Sequence, residues 1–436
     1  MIVPSIDLMG GRAVQLEGGE TLRIDAGDPR PKAAEFSRVG ELAVIDLDAA
    51  RGEGDNRRLV EDLVSAYPCR VGGGIRDYET AVRLLDAGAR KVILGTAARP
   101  DLLSRLPRDR VIAALDARNG EVVVEGWRTR TGASVADRIR ELAPYVGGFL
   151  VTTVEREGRM AGADLAAAAD VVRIARECRE DLRITWAGGV TSAEEVAELD
   201  RLGADAQVGM ALYSGRLSLA EAFTAPLASD RPDGLWPVVV CDEAGIALGL
   251  VWGDRESVAE SLKRGRGVYR SRTRGLWEKG ASSGNTQDLV RIEVDCDRDA
   301  LRYVVRQNGG GFCHLGTRTC FGPDQGLGAL DRTIRGRQES SPPGSYTHRL
   351  FTEPGLLSAK IREEAAELAE AEGPVRAAEE AADLVYFALV KLRAEGASLA
   401  DVERILDRRA LKVVRRPGNA KPAFQEEGGT RWTGIH

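Results

Sequence analysis

Histidine is nearly missing from this chain of 436 residues, which has three copies, at His314, His348 and His436. Imidazole is the commonest general acid–base group, so its scarcity predicts catalysis by carboxylates, thiolates, backbone donors and metal ions. The six cysteines are too few for a disulfide framework, and the first residues do not have the pattern of a secretory leader. We therefore expect a cytoplasmic protein with reduced thiols.

Long apolar runs and an excess of basic charge are also absent. No stretch approaches the roughly 18 apolar residues that span a bilayer, and a net charge of −6 provides no basic surface for a polyanion. We expect neither a membrane nor a nucleic-acid partner, which leaves small anionic molecules as substrates. At about 150 residues per domain, the length predicts about three folded units.

The first predicted domain, 1–225, alternates short β-branched segments with amphipathic helical patterns. Eight strands are predicted, at 2–7, 42–48, 69–73, 91–95, 111–116, 148–153, 183–187 and 205–209. Strands that alternate with helices in this way are typical of a parallel (β/α)8 barrel, in which side chains at the carboxyl ends of the strands carry function.

Glycine-rich strand ends occur twice in this domain and indicate an internal repeat. Gly74 recurs as Gly189, and Gly95 recurs as Gly209. Backbone N–H groups at such ends can bind phosphate, although each cluster alone is equally explained by a tight turn. The matched pairs favour a substrate with a phosphate at each end. The predicted phosphate-binding residues are Gly72, Gly73, Gly74, Arg76, Gly95, Thr96, Gly188, Gly189, Gly209 and Met210.

Asp7 and Asp116 end the first and fifth predicted strands, between the two glycine clusters. Two carboxylates in one pocket can divide acid and base roles, whereas an isolated aspartate at a strand end can simply cap a turn. Thr152 would hold a substrate hydroxyl, and Trp127 would stack on a base.

The segments Ile6-Asp7-Leu8, Gly72-Gly73-Gly74-Ile75-Arg76, Leu115-Asp116-Ala117-Arg118 and Gly126-Trp127 resemble the phosphoribosylformimino-aminoimidazole-carboxamide ribotide isomerases of histidine biosynthesis. The resemblance implies an Amadori rearrangement, with Asp7 as base at the ribose C2 and Asp116 as acid that opens the sugar ring. The family usually has Asp-Gly-Thr after the sixth strand, where this chain has Glu157-Gly158-Arg159. Isomerisation of phosphoribosylanthranilate, in addition or instead, therefore stays open. The resemblance is to the isomerases more than to the related cyclase barrels, because Leu16 stands where the cyclase family keeps a lysine.

A second predicted domain, 235–325, is mostly β, with strands predicted at 238–241, 248–252, 267–270, 289–295 and 301–306. It contains a cluster of possible metal ligands. Its predicted metal ligands are Asp295, Asp297 and Asp299, interleaved with Cys296, and then Cys313 and Cys320. Strand alternation would place the carboxylates on one side and Cys296 on the other, which favours separate sites for a hard and a soft metal. Three thiolates leave a fourth zinc position for water, as in catalytic sites; buried structural thiols are the alternative.

The segments Leu276-Trp277-Glu278-Lys279-Gly280 and Ser283-Gly284-Asn285-Thr286-Gln287, together with that cluster, resemble phosphoribosyl-AMP cyclohydrolases. The resemblance implies Zn²⁺ on Cys296, Cys313 and Cys320, shared across a dimer, and Mg²⁺ on the three aspartates. It also implies hydrolytic opening of the adenine ring. Many members have histidine where this chain has Asn285.

The third predicted domain, 330–412, is helical, with a Gly-, Ser- and Pro-rich linker predicted over 336–344 and Ser398 predicted as a helix cap. It contains two pairs of carboxylates at i, i+3 spacing: Glu364 with Glu367, and Glu380 with Asp383. Packed together, the four form an oxygen-rich Mg²⁺ site, although glutamate-rich helices are usually solvated surfaces. With Gly344-Ser345-Tyr346-Thr347, these segments resemble phosphoribosyl-ATP pyrophosphohydrolases, which implies that Lys360 contacts the phosphates.

These three resemblances belong to consecutive steps of one pathway. The sequence therefore predicts a trifunctional histidine-biosynthesis enzyme that acts on phosphoribosyl nucleotides with Zn²⁺ and Mg²⁺ as cofactors. We expect a homodimer formed through the cyclohydrolase and helical domains. A domain that is catalytically silent and serves only binding or assembly is the alternative, supported by Asn285 and the altered loop at Glu157.

Overall fold

The computed structural model describes residues 1–124, 126–415 and 418, so that His436 lies outside the described residues. A closed barrel, a small mixed sheet and a group of helices follow one another along the chain. This order confirms the predicted fold class. Within the described residues, no helix combines the length and apolarity needed to cross a bilayer.

Twelve strands form the first sheet. They are β1 (Ile2–Met9), β2 (Arg12–Glu17), β3 (Thr21–Gly27), β4 (Leu42–Asp46), β5 (Cys69–Gly72), β6 (Lys91–Leu94), β7 (Val111–Arg118), β8 (Glu121–Val124), β9 (Thr129–Ser134), β10 (Gly148–Thr153), β11 (Arg183–Ala187) and β12 (Ala204–Val208). Eight of them pair in parallel in the order β1, β4, β5, β6, β7, β10, β11 and β12, and β12 closes the ring on β1. All eight carboxyl ends therefore open at one rim.

Helices cover the outside of this barrel. They are α1 (Pro29–Phe36), α2 (Leu47–Arg51), α3 (Arg57–Ala66), α4 (Tyr78–Ala87), α5 (Pro100–Leu103), α6 (Val135–Leu142), α7 (Leu165–Cys178), α8 (Ala193–Leu202), α9 (Met210–Tyr213) and α10 (Leu219–Thr224), with 3-10 turns at Ser37–Val39, Arg108–Arg110, Ala143–Tyr145 and Val154–Arg156. Side-chain caps fix the residues at which several of these helices begin. Asp77 accepts the N–H of Thr80 before α4, and Ser192 forms a capping box with Glu195 at α8.

Two hairpins that the sequence did not predict rise above the functional rim. β2 and β3 extend β1, which continues to Met9, and β8 and β9 extend β7, which continues to Arg118. The first and fifth strands are thus longer than predicted because each pairs with a hairpin strand after it leaves the barrel. The exposed face of β3 has too few apolar residues to be recognised as a strand.

The second sheet has six strands and one helix. Its elements are β13 (Trp236–Cys241), β14 (Ala247–Gly253), α11 (Arg255–Arg264), β15 (Val268–Ser271), β16 (Gly275–Glu278), β17 (Gln287–Val294) and β18 (Leu301–Gln307). The strand order is β16-β15-β14-β13-β18-β17, in which the pair β13–β18 is parallel. The predicted strands are present, and β16 was not predicted.

Five helices complete the chain: α12 (Gly326–Glu339), α13 (Tyr346–Thr352), α14 (Leu356–Glu370), α15 (Pro374–Ala394) and α16 (Leu399–Ala410). A linker predicted over 336–344 is wrong in its first part, because α12 continues to Glu339. Buried Ile334 and an ion pair from Asp331 to Arg393 of α15 hold this helix in place, so tertiary contacts outweigh its glycines. Ser398 precedes α16 as the predicted cap and donates its backbone N–H to Asp401 at 2.9 Å.

Candidate active sites

The rim of the barrel brings the two predicted catalytic aspartates and Thr152 to strand ends. Asp116 lies opposite Thr152 in the β7–β10 register and accepts a hydrogen bond from its hydroxyl. Asp7 accepts a hydrogen bond from Ser5 at 3.0 Å. Burial raises the pKa of Asp7 to about 6, and burial likewise raises the pKa of Asp116, against the hydrogen bonds from Thr152 and Trp127.

A third carboxyl group, Glu157, lies beside these two and was not predicted as a catalytic residue. Burial, together with the neighbouring charges of Asp7 and Asp116, raises its pKa to about 8. At neutral pH this carboxyl group is therefore protonated while Asp7 is mainly ionised. A proton donor and a proton acceptor in one pocket are what an aldose–ketose rearrangement requires.

One cavity at the rim is lined by Asp7 and Glu157 together with one predicted phosphate-binding cluster. The glycine-cluster residues in its lining are Gly188, Gly189, Gly209 and Met210. The other cluster, Gly72, Gly73, Gly74, Arg76, Gly95 and Thr96, lies at and beyond the ends of β5 and β6, outside this lining. Arg76 donates to the carbonyl of Ala50 at 3.0 Å.

The glycines of both clusters also have a packing role. A Cβ atom on Gly73 would lie 2.1 Å from the carbonyl oxygen of Asp46, and one on Gly189 would lie 2.3 Å from that of Gly162. Both residues have positive φ angles, +95° and +89°. Each glycine therefore lets its backbone approach another segment closely, the end of β4 for Gly73 and the loop after β10 for Gly189.

The hairpin β2–β3 covers the cavity and touches the loops that follow three other strands. Gly18 donates to the carbonyl of Glu157 at 3.1 Å, and Arg51 donates to the carbonyl of Gly19 at 2.6 Å. The indole of Trp127 packs on Gly19 and hydrogen-bonds to Asp116. Trp127 thus belongs to the site, although its stacking on a base stays a prediction.

The cysteines of the second sheet divide into two places. Cys313 and Cys320 are close enough to hydrogen-bond, whereas Cys296 is exposed with its Sγ 3.9 Å from Asp297. The backbone N–H of Leu315 and the hydroxyl of Thr317 lower the pKa of Cys313, which favours its thiolate. Within the described part of the chain, the three cysteines do not gather in one group.

Lys279 stands beside these two thiols and was not predicted as a site residue. Burial lowers the pKa of its ammonium group, while Cys320 and Cys313 oppose that shift. Its nitrogen lies 5.2 Å from the centre of the Phe312 ring. Asn285 has a structural contact instead, because its side-chain oxygen accepts the N–H of Gly310 at 2.8 Å.

Two acidic groups have carboxylate oxygens within 4.8 Å of one another, a spacing that fits a divalent cation. The first consists of Asp295, Asp297 and Asp299. The second consists of Glu364, Glu367 and Glu380, and Asp383 is not part of it. Lys360 lies 2.7 Å from Glu364 and 2.9 Å from Glu363, which raise the pKa of its ammonium group.

Comparison with protein families assigns each part of the chain. The family model described as histidine biosynthesis protein matches residues 1–218. The chain belongs to this family. Models for phosphoribosyl-AMP cyclohydrolase and phosphoribosyl-ATP pyrophosphohydrolase match residues 249–322 and 327–410, so the three resemblances read from the sequence are confirmed in their order.

Curated relatives of this chain extend well beyond the region that matches it. A histidine biosynthesis trifunctional protein of Neurospora crassa is 40% identical over 365 residues, 82% of this chain and 39% of that protein. A histidine biosynthesis bifunctional protein of Schizosaccharomyces pombe is 54% identical over 49% of this chain and 51% of its own length. The chain thus spans about half or less of these two relatives.

A phosphoribosyl imidazole-4-carboxamide isomerase of Gemmatimonas aurantiaca is 39% identical over 240 residues, 51% of this chain and 99% of that protein. The activity in its name is the one that the barrel motifs resemble. Neither the phosphoribosylanthranilate reaction nor a silent domain has support in these matches.

Proposed function

We propose that this member of the histidine biosynthesis family carries out three consecutive reactions. The helical domain hydrolyses phosphoribosyl-ATP to phosphoribosyl-AMP and pyrophosphate, the cysteine domain opens the adenine ring of that product, and the barrel isomerises the resulting formimino ribotide. The observation that carries the proposal is the match to three families of one pathway, each over a region with its own acidic or thiol cluster.

In the barrel, the proposed reaction needs one proton donor and one proton acceptor. The acid protonates the ribose ring oxygen, so that the bond from this oxygen to C1 breaks and an iminium group forms. Asp7 then removes the proton from C2, and the resulting enolamine rearranges to the aminoketose. Glycine N–H groups near Gly188 and Gly209 hold one phosphate.

Two carboxyl groups compete for the role of acid. Asp116 was predicted from the motif and is held by Thr152 and Trp127. Glu157 is favoured by its pKa of about 8, because a group that protonates the ring oxygen must be protonated at neutral pH. We therefore propose Glu157 as the acid, with Asp116 orienting the sugar.

In the cysteine domain, Cys313 and Cys320 of one chain and Cys296 of a second chain would hold Zn²⁺. The metal would supply Lewis-acid activation of water for attack on the purine ring. Asp295, Asp297 and Asp299 would hold Mg²⁺. Lys279 is placed to stabilise negative charge next to the thiols.

In the helical domain, Glu364, Glu367 and Glu380 would hold Mg²⁺, which supplies charge neutralisation for phosphate oxygens. Burial and the neighbouring Glu367 raise the pKa of Glu380, as expected for acids that a cation would stabilise. Lys360 would exchange its ion pairs with Glu363 and Glu364 for contacts to the substrate phosphates.

We propose a homodimer through the two smaller domains, and exposed apolar side chains of the cyclohydrolase domain support this. Leu250, Leu315 and Phe321 are 52%, 76% and 66% exposed. Large apolar groups left in water next to a functional site are typical of a subunit interface. We also propose that the protein acts in the cytoplasm without nucleic acid.

Incubation of the purified chain with phosphoribosyl-ATP and Mg²⁺ tests this assignment. We expect the isomerised ribotide to accumulate, and we expect a zinc chelator to stop the sequence at phosphoribosyl-AMP. If phosphoribosyl-AMP accumulates even with zinc present, the cysteine domain is silent and the proposal of three activities is wrong.

A further inference from the structure

The loop that contains Cys296 and the three aspartates is attached to the barrel. Arg298 lies between Asp297 and Asp299, and its Nε and Nη2 atoms lie 2.5 and 2.8 Å from the two carboxylate oxygens of Asp200 on α8. The side chain of Asp200 is only 11% exposed. Arg298 and Asp200 thus form a bidentate, charge-assisted salt bridge between two domains.

The backbone of Arg298 is held from outside its own sheet as well. The N–H of Ala228, in the segment between α10 and β13, donates to the carbonyl of Arg298 at 3.0 Å. Arg298 has a φ angle of +67°, which residues with a side chain rarely adopt. The contacts with Asp200 and Ala228 both help to hold this turn.

The direction of the Arg298 guanidinium group matters because three carboxylates belong to the same loop. Asp295, Asp297 and Asp299 have their oxygens within 4.8 Å of one another, and the carboxylate of Asp295 already accepts the N–H groups of Asp299 and Ala300 at 3.1 Å. A guanidinium released from Asp200 would be attracted to this acidic group, where it would compete with a divalent cation.

We propose that Asp200 of the barrel is a positioning residue for the cyclohydrolase metal loop, because it holds Arg298 away from the three aspartates and leaves them available to Mg²⁺. This inference rests on the proposed Mg²⁺ site in that loop. The barrel would then help to hold a metal site that lies in another domain.

Hydrogen exchange of the segment 295–300 in the full chain, measured against increasing Mg²⁺, reports on this loop alone. In Asp200→Asn we expect that about tenfold more Mg²⁺ is needed for half-maximal protection, as expected for loss of the charged contact with Arg298. Asp205→Asn is the matched control, because Asp205, like Asp200, pairs with the N-terminal ammonium group of Met1 but does not hydrogen-bond to Arg298. It should behave like the unchanged protein.

The double variant Asp200→Asn with Arg298→Gln separates this role from general support of the fold. Removal of the competing guanidinium should restore the Mg²⁺ requirement to within about twofold of the unchanged protein, while isomerase activity stays constant in every variant. An unchanged Mg²⁺ requirement in Asp200→Asn, or no recovery in the double variant, overturns the inference. If Mg²⁺ fails to protect the loop of the unchanged protein, the proposed metal site is wrong and the inference falls with it.

Discussion

Asp7 and Glu157 have pKa values on opposite sides of neutrality, about 6 and about 8, although they share one cavity. Burial raises both values, and the charges of Asp7 and Asp116 raise that of Glu157 further. Two carboxyl groups with separated pKa values can act as base and acid at the same pH.

The isomerase reaction should therefore have a bell-shaped pH dependence. Activity rises as Asp7 loses its proton through a pKa of about 6, and falls as Glu157 loses its proton through a pKa of about 8. We expect Glu157→Gln to lower kcat by about 10²–10⁴-fold and to remove the alkaline limb of the residual activity. Measurement of kcat from pH 5 to 10 checks this. If Asp116→Asn removes the alkaline limb while Glu157→Gln keeps it, Asp116 is the acid.

Glu157 also shows where reasoning from the sequence reached its limit. Asp7, Asp116 and Thr152 end barrel strands, so the topology alone places them at one rim. Glu157 lies in a loop, where no periodicity fixes the direction of a side chain, and its motif differs from the family pattern. Lys279 was quoted within a motif, but its position beside Cys313 and Cys320 depends on how distant strands come together.

Among the secondary structure elements, a glycine in each of the two clusters has a packing role. Gly73 lies against the backbone at the end of β4, and Gly189 lies against the backbone of the loop after β10. Gly215 also has a positive φ angle, +73°, but nothing lies within 4 Å of its missing Cβ. These three positions separate the effect of backbone strain from the effect of a steric clash.

We expect Gly73→Ala and Gly189→Ala each to lower the free energy of unfolding by about 3 kcal/mol, the sum of left-handed strain and overpacking. Gly215→Ala should cost about 1 kcal/mol, from strain alone. Urea unfolding followed by circular dichroism measures the difference. If all three variants lost the same free energy of unfolding, the steric clash of the added Cβ atom would not contribute to the loss.

The barrel strands were predictable because each is a short β-branched run that precedes a helical pattern. The hairpins β2–β3 and β8–β9 were not, because their outer strands, β3 and β9, are exposed above the rim and have no buried face to produce an alternating pattern. Helix α12 was mistaken for a linker over its last residues because its glycines outweighed the buried Ile334 in the sequence reading. The missed elements thus depend on contacts that only the folded chain provides.

At the scale of the whole molecule, the position of Cys296 leads to an argument about assembly. Cys313 and Cys320 are neighbours, whereas Cys296 lies in the loop held by Asp200 of the barrel. We propose that the zinc site, which needs all three thiolates, would be completed by Cys296 of a second chain. In a symmetric dimer, two such sites would form, each with ligands from both subunits.

Coexpression of two inactive variants, Cys296→Ala and Cys313→Ala, tests this arrangement. In a mixed dimer, one site loses both replaced cysteines, while the other combines Cys296 of one chain with Cys313 and Cys320 of the other and is intact. Half of randomly assembled dimers are mixed and each has one intact site of two, so cyclohydrolase activity should recover to about a quarter of the unchanged protein. The measurement is ring opening of phosphoribosyl-AMP by the copurified mixture, with each variant expressed alone as the control. If the thiolates of a single chain formed the site, the mixture would stay as inactive as its parts.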